Sequence, residues 1–175
     1  MPNRYDPVAR VLHWLTVLML LGLFAVGIWI TAFEPKDEAF KLRLYMMHES
    51  SGVTLLALTL FRLFWRWRHP PPSLPADLPP LLRAAAHANH AAVYLLLLVM
   101  PVLGFLATNA WGFPLRWYGL IALPSPVGHN EALAETLSAL HYWCALALAA
   151  LLLVHIAAAF WHYLIRKDQV LQRML

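Results

Sequence analysis

The chain has 175 residues, 61% of them apolar and 13% charged, against roughly 45–50% and about 25% in soluble domains. That excess excludes a single soluble core, whose surface would have little polar area to show water, and it excludes disorder. The lone cysteine, Cys144, excludes a disulfide framework and a multi-cysteine zinc site, and the net charge of +4 sits at the ends of apolar runs, as in membrane proteins rather than nucleic-acid binders.

Four apolar stretches follow one another, each near the roughly 20 residues a bilayer requires. The first runs from about Val11 to Phe33, behind an N-terminus with no cleavable-signal pattern. The second runs from about Met47 to Trp65, with Arg62 near its end where a long side chain can snorkel. A proline-rich segment, RHPPPSLPADLPP, then reads as an extended linker. The third stretch covers about Ala91 to Ala110 and the fourth about Leu140 to Ile165. Between them lies an aromatic, Pro/Gly-punctuated segment suited to the membrane interface. Nine Lys and Arg lie at the N-terminus, the linker and the C-terminus, and four (Lys36, Lys41, Arg43, Arg116) lie on the other side. The positive-inside rule then places both termini in the cytoplasm. The expectation is one all-α domain over residues 1–175, an integral membrane four-helix bundle, N-in and C-in.

Nine histidines match all Asp and Glu in number. Ionisable groups inside spans are costly and mark function by default. His13, His48, His141 and His155 stand in or at the mouths of spans. Alternating helix direction pairs them by depth, His48 with His141 at the outer side and His13 with His155 at the inner. On the fourth span, fourteen residues separate His141 from His155. That spacing is about 21 Å along the axis and within about 40° of one direction. One helix thus offers ligands to two stacked sites. Small residues (Gly52, Ala145, Ala147, Ala149, Ala150, Ala157 to Ala159) leave room for a flat group between helices. Axial His–iron–His ligation of two haems is the economical reading. Hydrogen-bonded packing histidines are the bland alternative for any single one. A zinc site fits worse, because four ligands so far apart cannot converge on one ion.

The other candidates stay open. His87 and His90 share one helix face, where they could contact haem propionates, line a quinone pocket or cap the interface. His162 is an interfacial residue or a quinone or propionate contact. Arg62 could pair with a propionate or simply serve the charge rule. His69 and His129 fall in loops, Glu49 points away from His48, and Cys144 reads as a small buried residue.

RVLHWL at His13, MHESSG at His48, AHANHAAVYLLLLVMPVLG, and the run from Leu140 through KD-x-x-L-x-R-M resemble the bacterial cytochrome b561 family. This family is kin to the di-haem b subunits of nickel–iron hydrogenases. The family's Phe-Gly-Leu loop motif stands here as Tyr118-Gly119-Leu120. The resemblance implies two b haems on His13, His48, His141 and His155, electron exchange with ubiquinone, and a relative acting as a superoxide oxidase. With bis-His irons, the expectation is outer-sphere electron transfer from periplasmic superoxide to ubiquinone in a bacterial inner membrane. Lys41, Arg43 and Arg116 are the steering candidates, although Glu34, Asp37, Glu38, Glu131 and Glu135 share those loops. The alternatives are a quinol-oxidising cytochrome feeding a periplasmic redox partner, an anchor subunit for a dehydrogenase or hydrogenase, and a histidine-lined transporter. A monomer or small homo-oligomer is expected, with no nucleic-acid partner.

Overall fold

A computed structural model describes residues 4–33 and 36–175; Glu34 lies outside them. Four long helices carry the chain: α1 (Pro7–Phe33), α2 (Glu38–Arg68), α3 (Pro80–Ala110) and α4 (Glu131–Trp161). A π-helical turn (His162–Arg166) prolongs α4. Each helix starts where local chemistry favours it. Asp6 accepts the N–H groups of Val8 and Ala9. Asp37 and Asn130 accept those of Phe40 and Leu133, and Pro80 occupies the first turn of α3, where a missing N–H costs nothing. At about 1.5 Å per residue, these helices exceed the roughly 30 Å hydrocarbon core.

Three of them are long and apolar enough to cross a membrane: α1, α3, and α4 with its π turn. The expected second span does not reach that standard. Its helix is continuous, but the tract His48-Glu49-Ser50-Ser51 and the flanking charges dilute it. The polar groups turn inward: Ser50 and Thr59 are fully buried, and Glu49 accepts from Thr108 of α3. α2 is therefore the polar inner helix of the bundle, packed between α1 and α3.

α1 packs on α2, α2 on α3 and α3 on α4. One leucine from each helix (Leu20, Leu55, Leu97, Leu148) meets at mid-height. These leucines share a register with other residues seven apart: His13-Leu20-Gly27, His48-Leu55-Arg62, His90-Leu97-Gly104 and His141-Leu148-His155-His162. Seven residues are close to two turns, so each set lines one face. The bundle is thus stacked in layers, with the leucines between two polar levels.

The loop after α3 is shorter than the sequence suggests, since α4 begins at Glu131. It holds a two-stranded antiparallel hairpin, β1 (Arg116–Trp117) and β2 (Ile121–Ala122). Tyr118 and Gly119 both take positive φ, 46° and 73°, and Leu120 N–H closes the turn on Trp117 O at 2.9 Å, the primed turn that suits a twisted hairpin. At the opposite end the C-terminal residues fold back across the bundle. Trp14 Nε1 donates to Met174 O at 3.1 Å, Tyr5 N–H to Arg173 O at 3.1 Å, and Arg10 to the Leu175 carbonyl. The two ends are called the hairpin end and the terminal end below.

Candidate functional site

The four span histidines come together as the two expected pairs. His48 faces His141 at the hairpin end and His13 faces His155 at the terminal end, each with ring centroids 6.2 Å apart. Elsewhere α4 packs mainly against α3, so the rings reach across a gap that no close backbone contact fills.

At the hairpin end two glycines make room for the rings. A Cβ at Gly27 would stand 3.3 Å from His48 Cε1, and one at Gly104 would stand 3.2 Å from His141 Cε1. Both are tighter than ordinary carbon contacts of about 3.5–4.0 Å. Gly52, expected to give room beside His48, has open space where its Cβ would stand. His141 Nδ1–H donates to Met100 O at 3.0 Å. A neutral imidazole has one N–H, so this bond leaves the Nε2 lone pair free. His48 Nδ1 is buried and has no hydrogen-bond partner.

The terminal end is more crowded. His90 comes within 5.3 Å of His155, centroid to centroid, so three imidazoles meet there. Arg62 Nη2 lies 3.1 Å from His13 Nδ1. Guanidinium only donates, so Nδ1 accepts and the neutral ring keeps its proton on Nε2. Metal ligation at Nε2 therefore requires Arg62 to release Nδ1. Arg62 also lies over the Tyr94 ring, 5.3 Å from its centroid.

The remaining candidates disperse. His87 is exposed on α3. His162 is buried, and its Nδ1 donates to Asp168 Oδ2 at 2.6 Å. Asp168 also accepts from Arg166 Nε, which bridges to Asp77 of the linker. Burial alone would raise the Asp168 carboxyl, but the donors from His162, Val170 and Arg166 outweigh it and hold the group below its ordinary range. Lys41, beside Glu38, and the exposed Arg43 and Arg116 all lie at the hairpin end. His69 caps α2 and stacks on Trp65, and His129 donates to Ala110 O. Cys144 is half-buried. Glu49 faces α3, away from the His48 pair, as its position predicts.

The donor sets fit haem iron. With metal–nitrogen lengths of about 2.0–2.1 Å and ring centres about 1.1 Å behind each nitrogen, two imidazoles sharing an ion stand about 6.3 Å apart. Both pairs match that span. The glycine cradles, which leave room for the rings at Gly27 and Gly104, add to the fit. Sequence reasoning missed Gly27, Gly104 and the approach of His90 to His155. The seven-residue register was the available signal.

The model of the family described as prokaryotic cytochrome b561 matches residues 4–175. "Cytochrome b561 homolog 2" of Escherichia coli is 33% identical over 99% of this chain and 92% of its own. "Probable superoxide oxidase CybB" of Yersinia pestis is 29% identical over 100% and 97%, and "Cytochrome b561 homolog 1" of E. coli is 26% identical over 99% and 97%. A multi-pass helical membrane protein with two facing histidine pairs, the chain belongs to the prokaryotic cytochrome b561 family of electron-transfer proteins, whose members bind b haems.

Proposed function

We propose that the chain is a two-haem superoxide:ubiquinone oxidoreductase of the bacterial inner membrane. In this reading α2 is a fourth span, both termini are cytoplasmic, and the hairpin end faces the periplasm. The observation that carries it is the pair of histidine couples, each 6.2 Å across, on two levels of α4. The relative named as a probable superoxide oxidase supports the choice of reaction. Overall, two superoxide ions, one ubiquinone and two protons become two dioxygen molecules and one ubiquinol.

His48 and His141 would hold one haem, and His13 and His155 the other. Haem, when bound, would supply one-electron chemistry, and the two imidazoles of each couple would be its protein ligands. His141 is pre-set for this role through Met100. His13 would be set only once Arg62 releases its Nδ1, and the freed guanidinium would then be available to a carboxylate of the cofactor. Arg43 and Arg116, with Lys41, draw an anionic substrate to the hairpin end. His90 flanks the terminal site. His87 and His162 are the candidates for the ubiquinone head group, His162 through the Nε2 that Asp168 leaves open.

Purified protein is expected to show reduced-minus-oxidised b-type bands and two haems per chain, and His155→Ala to keep one. A colourless preparation under haem-replete expression would overturn the reading. In stopped-flow mixing, superoxide should reduce the protein and ubiquinone reoxidise it. Reduction by quinol but not by superoxide would reverse the flow, and a co-purifying dehydrogenase subunit would make the chain its anchor.

A further inference from the structure

The loop hairpin grips α2 one turn beyond His48. Tyr118 N–H donates to Ser50 Oγ at 2.8 Å, and Trp117 Nε1 donates to Thr54 Oγ1 at 3.1 Å. The Tyr118 hydroxyl lies 3.2 Å from Ser51 Oγ and 3.4 Å from Thr54 Oγ1. The direction of these bonds follows from Thr54. Its own proton goes to Ser50 O at 2.9 Å, so Thr54 accepts from both Trp117 and Tyr118. With the Tyr118 proton committed to Thr54, Ser51 donates to the tyrosine oxygen.

This contact is more than loop packing. Tyrosine at φ 46° is a conformation that costs energy unless surrounding bonds hold it. Ser50 is fully buried under it, and Met46 Sδ would stand only 3.6 Å from a Cβ at Gly119. Met46 and Ser50 bracket His48 on α2. On the other side of that turn, Thr108 of α3 holds Glu49 at 2.8 Å. The turn that carries His48 is therefore gripped from two sides, while the His48 ring itself has no hydrogen bond through Nδ1. Its partner His141 is oriented through Nδ1 by a backbone carbonyl; His48 has no such bond at Nδ1 and depends more on the turn that carries it.

We infer that the hairpin is the positioning element for His48, and that Tyr118 is its principal positioning residue. The inference rests on His48 being a haem ligand at the hairpin end. Tyr118 touches neither ligand nor substrate; it acts through Ser50, Ser51 and Thr54.

The test uses full-length protein whose wild type has first been shown to carry two low-spin b haems. Failure at that step refutes the proposed function, not the positioning. Tyr118→Phe keeps the ring and the backbone bond but removes the hydroxyl. The expected result is a shifted low-field EPR signal of the hairpin-end haem alone, and about fivefold faster loss of that haem to a scavenger, the equivalent of one hydrogen bond. Ser51→Ala with Thr54→Val, which also deprives Trp117 Nε1 of its acceptor, should show both effects at least as strongly, and adding Tyr118→Phe to that pair should change nothing further. The EPR signal of the terminal-end haem serves as the internal reference. Unchanged EPR and haem loss in Tyr118→Phe, with both haems bound, would overturn the inference. So would an equal disturbance of the two haems, which marks a general structural role.

Discussion

Gly104→Ala isolates the claim that the hairpin-end site is shaped around a ring. In an ordinary helix this change stabilises by about 0.5–1 kcal/mol, because alanine has less backbone freedom to lose. Here the new Cβ would stand 3.2 Å from Cε1 and 3.3 Å from Nδ1 of His141. The ring must retreat by a few tenths of an ångström. It is held by the 3.0 Å bond to Met100 O, so retreat either weakens that bond, worth about 1 kcal/mol, or twists the side chain off its rotamer at about 0.5–1.5 kcal/mol. Either route costs about 1 kcal/mol, or about fivefold in haem affinity at one of the two sites. Titration of apoprotein with haemin, read by absorbance, measures it. Gly22→Ala is the control, since its Cβ would meet nothing within 4 Å, and it should bind two haems normally. Wild-type affinity at both sites in Gly104→Ala would refute the reasoning.

Three further outcomes follow from other parts of the molecule. His90→Ala should retain two haems, because His13 already faces His155; loss of the terminal-end haem would transfer the ligand role to His90. Lys41→Glu with Arg43→Glu should lower the superoxide rate about tenfold or more at low ionic strength, and the loss should fade as salt is added; an unchanged rate and salt dependence would end the steering idea. Asp168 has a depressed carboxyl pKa, so its contribution to anchoring the C-terminal segment is fully present above the ordinary carboxylate value of about 3.9 and is lost as pH falls through the lower folded value. Asp168→Asn should therefore free the segment even at neutral pH, read as faster limited proteolysis or amide exchange of residues 167–175.

The sequence carried the histidine pairs because their logic is one-dimensional. Fourteen residues on one helix fix two levels, and alternating helix direction assigns the partners. The four helices were equally plain from hydropathy and linkers. What stayed hidden depends on how helices rotate against one another. Nothing in AHANH says that His90 turns to His155 while His87 faces outward; neighbouring packing decides that. The interior role of α2 was hidden for the same reason: read as a span, its polar tract had no stated partner, and the burial of Ser50 and Thr59 gives those residues an interior to face. The hairpin was invisible because its strands are two residues each, too short for alternation to register. Tyrosine is also not a residue that advertises positive φ.

The layer of Leu20, Leu55, Leu97 and Leu148 has its own consequence. An apolar layer offers no side-chain donors and acceptors for a proton to hop along. Electrons need no such chain. With a haem at each level, as proposed, the two ends would be separate acid–base compartments joined electronically. Protons taken up at the terminal end must come from the water on that side. Inward electron flow would then leave that side one positive charge poorer per electron, and the leucine layer would make scavenging at one face a source of membrane potential.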